Sequence, residues 1–141
     1  MNMQGRQLKY VGNAFIEQDL RRLKKLTSLS DDLRSVYDII AGLVEELQWP
    51  PPYSFCGGLI AEIEIDGERY LCFKDRVPIK NPSLSPSNGC RVVYALGVST
   101  HTFIPLLVYS AKEEKETYNI NSKKFPLTSN NLGKIINEKL K

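Results

Sequence analysis

The spacing of apolar residues along this chain is helical up to about residue 48, strand-like from Leu59, and helical again near the C-terminus. In "NAFIEQDLRRLKKL", Ile16, Leu20, Leu23 and Leu26 recur at three- and four-residue steps, with Arg21, Arg22, Lys24 and Lys25 on the remaining surface. Asn13 is positioned to cap that helix. A second helical run, "SLSDDLRSVYDIIAGLVEEL", carries Leu33, Val36, Tyr37, Ile40, Val44 and Leu47 on one stripe, with Ser30 as its expected N-cap. Asp31 and Asp32 suit the positive end of its dipole. The prolines of "WPPPYSF" must end it, since proline lacks an amide donor and restricts the residue before it. The pattern thus predicts a helical hairpin over about 13–48.

From Leu59 the period becomes two. "LIAEIEI" alternates Leu59, Ala61, Ile63 and Ile65 against Glu62 and Glu64, and Asp66-Gly67 is a strong hairpin signal. The return run "RYLCFKDRV" sets Leu71, Phe73 and Val77 on one face and Tyr70, Cys72, Lys74 and Arg76 on the other. "CRVVYAL" and "TFIPLLVYS" follow as two further strands, and Pro105 requires an edge position or a bulge in the last. The sheet therefore occupies about 59–110. "LTSNNLGKIINEKLK" sets Leu132, Ile135, Ile136 and Leu140 on a helical face, a C-terminal helix over about 128–140 weakened by Gly133. Segregated helices and hairpin-linked strands give an α+β fold, read as one domain over 1–141: an antiparallel sheet covered on one face by the N-terminal hairpin.

Composition narrows the class. An apolar content of 42% and a charged content of 25% are those of an ordinary folded protein. No apolar run approaches the roughly 20 residues that span a bilayer, and "MNMQGRQLKY" has no apolar leader core. A cytoplasmic location without membrane attachment is the expectation. Cys56, Cys72 and Cys90 are widely spaced and the one histidine, His101, is isolated, so the cysteines read as small apolar fillers of a reducing compartment, with a Cys3His zinc site as the alternative. Glycine-rich phosphate loops, serine-nucleophile elbows and zinc-protease helices are absent from the sequence.

The net charge of +3 matters less than where the cations sit. "KDRVPIKNPSLSPSNGCRVVYAL" joins two strands through a loop with three prolines, and carries Lys74, Arg76, Lys80 and Arg91 against Asp75 alone. Lys74 and Arg76 share a face by parity, a hairpin-type return brings Arg91 alongside, and Lys112 and Lys115 follow the next strand. Such a set can hold phosphate, with arginine giving bidentate contacts. Tyr94, Tyr109 and Tyr118 can stack a base or move a proton. The competing reading is a solvated face whose cations offset Glu62, Glu64 and Asp75.

The order of elements and the wording of this corner resemble the RelE/ParE superfamily of bacterial toxin–antitoxin modules. "FKDRVPIKNPSLSPSNGCRVVYAL" is similar to the family pattern K-x-R…G-x-R-[VL]-[VI]-Y, "FIPLLVYSAKEEKETY" resembles its last strand and charged end, and "FIEQDLRRLKKL" its first helix. The resemblance runs from about Phe15 to Tyr118 and rests on the order of short motifs. It implies a small twisted antiparallel sheet on an N-terminal helical hairpin, a cognate antitoxin, and, for the RelE branch, cleavage of messenger RNA, typically on the ribosome. In that branch Lys74, Arg76 and Arg91 would hold the scissile phosphate, and Tyr118, with Lys112 as the alternative, would assist deprotonation of the 2′-hydroxyl. Lys80, Tyr94 and Lys112 would contact RNA. No metal or other cofactor is implied. The ParE branch would instead poison DNA gyrase, and a degenerate member would bind RNA without cutting it. Glu113, standing where active members carry arginine, favours the last.

Overall fold

The computed structural model describes residues 8–46, 49–51 and 58–140. It is an α+β fold built on a five-stranded mixed sheet of order β1-β5-β4-β3-β2. The strands are β1 (Lys9–Tyr10), β2 (Leu59–Ile65), β3 (Glu68–Val77), β4 (Cys90–Gly97) and β5 (Thr102–Ser110). β1 runs parallel to β5, and the other three pairs are antiparallel. At the β2–β3 turn Asp66 and Gly67 both have positive φ, 51° and 82°, the requirement of a two-residue hairpin turn that the Asp-Gly pair meets with little strain.

The helices are α1 (Glu17–Arg22), α2 (Leu29–Glu46) and α3 (Ser129–Leu140). The apolar stripe of the first helical segment is where the pattern put it, since Ile16, Leu20, Leu23 and Leu26 pack into one core with α2. Its helix is shorter than expected, however: a 3-10 turn over Ala14–Ile16 precedes six α-helical residues. Asn13 makes no cap hydrogen bond; its Oδ1 instead accepts from the Tyr10 hydroxyl. α2 begins before Ser30, the expected cap, because Ser28 and Asp32 bind each other there: Ser28 Oγ donates to Asp32 Oδ2 at 2.6 Å. These two side chains also hold the β3–β4 loop, accepting the amides of Asn81 and Lys80.

The sheet is covered on both faces, not one. Leu71, Phe73, Val77, Val92, Tyr94, Leu96 and Phe103 face α2 and the N-terminal segment. Cys72, Val93, Ala95, Leu106, Leu107 and Tyr109 face Leu132, Ile135 and Ile136 of α3. A second hairpin, β6 (Thr117–Ile120) and β7 (Lys123–Pro126), turns through Asn121 and Ser122 and adds Tyr118 to this second core. Strand parity breaks at two bulges. One, at Ile60 in β2, leaves Leu59 on the α2 side and Ala61 and Ile63 on the α3 side, splitting the single face expected of "LIAEIEI". The other follows Pro105, as that proline demands, and turns both Leu106 and Leu107 toward α3.

Beyond β1, the outer edge of β5 is closed by side chains. Asp19 Oδ2 accepts the Val108 amide at 3.0 Å, and Arg22 Nη2 donates to the Val108 carbonyl at 2.8 Å. Asp19 is fully buried and also receives Arg22 Nη1 (2.7 Å), the Tyr118 hydroxyl (2.7 Å) and Lys139 Nζ (3.3 Å). This network ties α1, β5, β6 and α3 together. Cys72 and Cys90 are free, buried thiols whose pKa values burial pushes up to about 12 and about 11. They lie in different cores, while Cys56 falls outside the described residues. His101 sits in the β4–β5 turn with its ring edge-on to Trp49. Among the described residues no helix is long and apolar enough to cross a membrane.

Candidate functional site: a cationic cleft beside the sheet

Alternation along β3 and β4 assembles the site. Arg76 pairs with Arg91 and Lys74 with Val93 in the antiparallel register, so Lys74, Arg76 and Arg91 emerge on the α3 face. With Asp75 and Glu114 they line an open cleft of about 410 Å³. A second cleft of about 580 Å³ adjoins it, lined by Lys74, Tyr109, Lys112, Glu114 and Lys115 together with Leu127, Thr128 and Ser129 at the start of α3. Lys74 and Glu114 belong to both. Among the described residues Lys74, Arg76, Lys112 and Lys115 form no ion pair, leaving a strong local excess of positive charge, to which the α3 dipole adds.

Arg91 differs from these cations. Its side chain is only 8% exposed. Nη1 donates to the Pro86 and Cys90 carbonyls at 3.0 and 3.2 Å, Nη2 donates to the Ser87 carbonyl at 3.0 Å, and Nη2 also lies 2.8 Å from Glu114 Oε1. The guanidinium is thus consumed in holding the end of the proline-bearing loop and in fixing Glu114. It positions the cleft wall and has little left to offer a phosphate.

The 3-10 helix over Ala111–Lys115, which follows β5, sets the remaining groups. Glu113 folds back in a capping box, accepting the Ser110 amide at 2.9 Å, and binds Arg22 Nε at 2.7 Å. Its charge is neutralised there, and it lines neither cleft. The acid that faces the cations is its neighbour Glu114, which the sequence reading passed over. The Ser110-x-x-Glu113 spacing was the available signal that Glu113 turns away.

The other expected site residues separate. Tyr118 joins neither cleft. It is buried beside Asp19, and burial, reinforced by that carboxylate, holds its pKa well above the usual tyrosine range. A hydroxyl that donates to a buried carboxylate and is harder to ionise than free tyrosine is poorly suited to deprotonating a substrate. Tyr94 faces the α2 core, fully buried and stacked on Phe73 and Phe103, and donates its hydroxyl to Asp75 at 2.9 Å. It is inaccessible to a base. Lys80 lines neither cleft; it lines an apolar groove of about 460 Å³ beside α2 with Ile39, Leu43 and Ile79, a groove that Arg76 also reaches. Tyr109 does line the second cleft, with burial and then the Glu114 carboxylate pushing its pKa up to about 12. Among the described residues no cluster of three or more histidine, cysteine, aspartate or glutamate side chains could hold a metal ion.

No protein-family model, no curated protein and no solved structure matches this chain.

Proposed function

We propose that this protein is the toxin of a toxin–antitoxin pair and that it acts on messenger RNA, as a RelE-type endoribonuclease in the cytoplasm. One observation carries the reading: Lys74, Arg76, Lys112 and Lys115 surround two adjoining clefts and, among the described residues, form no ion pair. Unpaired cations held close together repel one another unless a polyanion is their counterion, and single-stranded nucleic acid is such a polyanion. Lys74 and Arg76 hold the phosphate at the scissile bond and offset the charge that develops on it. Cleavage proceeds by attack of the adjacent 2′-hydroxyl. The groove along α2 supports the partner side of the reading: Ile39 is 63% exposed, Leu43 also faces solvent, and Arg76 and Lys80 flank them. Asp32 and Asp75 line the same groove and balance those two cations, so an amphipathic antitoxin segment that docks through its apolar side chains suits that surface.

A second reading, RNA binding without cleavage, is favoured by the occupied donors of Arg91 and the burial of Tyr118. RNA integrity after brief induction in cells separates the two, with wild type beside a Lys74→Ala/Arg76→Ala variant. Fragmentation by the wild type alone supports the nuclease. Intact RNA with salt-sensitive RNA retention by the purified protein supports binding alone, and arrested growth with intact RNA and altered DNA supercoiling would transfer the target to gyrase.

A further inference from the structure

We propose that Glu114 is the general base of the cleavage step, accepting the 2′-hydroxyl proton while Lys74 supplies the proton that leaves with the 5′-oxygen. The inference rests on the nuclease reading and assigns the group that reading lacks once Tyr118 is removed from the site.

Glu114 and Lys74 are the two residues that line both clefts, so a strand lying along the cations meets both of them. The Glu114 carboxylate is oriented from beneath. Oε1 lies 2.8 Å from Arg91 Nη2, and Arg91 is itself fixed by the carbonyls of Pro86, Ser87 and Cys90. Neither oxygen takes a hydrogen bond among the described residues: Oε1 is buried and only ion-paired to Arg91, while the side chain as a whole is 42% exposed. Its backbone is set by the Ser110–Glu113 capping box, and Glu113 is anchored in turn by Arg22. A site meant only to retain RNA gains nothing from an acid amid its free cations, because the carboxylate repels phosphate. A site that must remove a proton beside a phosphate needs such a group.

In the step, Glu114 Oε2 takes the 2′-hydroxyl proton as the 2′-oxygen forms its bond to phosphorus. The bond from phosphorus to the 5′-oxygen breaks, and that oxygen takes a proton from the Lys74 ammonium. The products are a 2′,3′-cyclic phosphate and a 5′-hydroxyl. Glu114 then loses its proton to solvent and Lys74 regains one. No oxidation or reduction is involved.

The test is single-turnover cleavage of a defined RNA, free and on ribosomes, by the full chain as wild type, Glu114→Gln and Glu114→Asp, with RNA affinity and melting temperature measured in parallel. Glu114→Gln should cut roughly 10²- to 10⁴-fold more slowly, bind RNA at least as tightly, and lose the acidic limb of the pH–rate profile. Should the Gln variant melt early through the lost Arg91 contact, Glu114→Asp decides: it must keep the acidic limb at a reduced rate. Wild-type cleavage with an undiminished Glu114→Gln rate, or with an acidic limb that survives in Glu114→Gln, overturns the inference and leaves the nuclease reading standing. A wild type that cuts neither free nor ribosome-bound RNA overturns both.

Discussion

The Tyr118 hydroxyl donates to Asp19 Oδ1 at 2.7 Å, across 99 residues of sequence and inside a core that excludes solvent from both. The contact makes Tyr118 a structural residue. Tyr118→Phe should therefore lower stability by about 1–3 kcal/mol, the range for losing a hydrogen bond to a charged group, while RNA binding and cleavage stay at wild-type levels. Urea titration beside an RNA-retention assay checks it, and loss of activity in a stably folded Phe variant would return Tyr118 to the site.

Asp19 itself is the hub of that network. Removing its carboxylate leaves Lys139 buried without its counter-charge and Arg22 and the Val108 amide each short of an acceptor. Asp19→Ala should cost about 3–5 kcal/mol, as for one partner of a buried pair, and a double-mutant cycle with Lys139→Met should recover part of it. Additive losses in that cycle would mean that the two groups do not interact.

The two arginines of the cleft should behave differently. Arg76→Ala, on an exposed unpaired side chain, should leave the melting temperature near wild type and reduce the slope of log affinity against log salt by about one. Arg91→Ala should depress melting strongly, because three backbone carbonyls lose their donor and Glu114 its paired cation. Equal effects of the two substitutions on both measurements would contradict this division of labour.

Gly89 is irreplaceable for a steric reason. A Cβ built there would lie 2.1 Å from the Val77 carbonyl oxygen, a backbone atom of the paired strand that cannot move aside cheaply. Gly89→Ala should destabilise by about 1–3 kcal/mol or more and open the corner that carries Arg91. Chemical denaturation of the single variant tests this.

Acid should loosen the β4–β5 turn. Glu68 accepts the amides of Ser99 and Thr100 and the Ser99 hydroxyl. Desolvation pushes its pKa up, but the hydrogen bonds from Thr100 and Ser99 outweigh this and hold it at about 2, against an ordinary 4.5. A depressed folded-state pKa contributes stability that is complete above about 4.5 and disappears as pH falls toward about 2. Glu68→Gln should flatten the stability curve in that window, and an unchanged curve would refute the assignment.

Much of the architecture was legible because its elements are periodic. The stripes on α2 and α3, the Asp-Gly hairpin and the bulge at Pro105 all follow from side-chain spacing and backbone chemistry. Strand parity also separates Arg91 from Tyr94, three positions apart and hence on opposite faces, so the burial of Tyr94 could have been read from "CRVVYAL" itself. What spacing could not supply were the features made by partners distant in sequence. The β6–β7 hairpin is too short to show a pattern, and it delivers Tyr118 to Asp19. β1 contributes two residues and owes its place to β5. Glu113 and Glu114 are adjacent in sequence, and a 3-10 turn with a capping box decides which of them faces the cations.

The side chains that take up the Val108 amide and carbonyl have a consequence for assembly. A sheet margin with free amides and carbonyls invites another chain to add a strand. On β5 that invitation is withdrawn: β1 occupies Thr102 and Phe103, Pro105 offers no amide, and Asp19 and Arg22 stand where the next strand's backbone would be. Among the described residues the opposite margin, Leu59–Ile65, carries no such guard. Among the described residues, a chain that extends this sheet, whether a partner's strand or an aggregating copy, finds its place along β2 rather than β5.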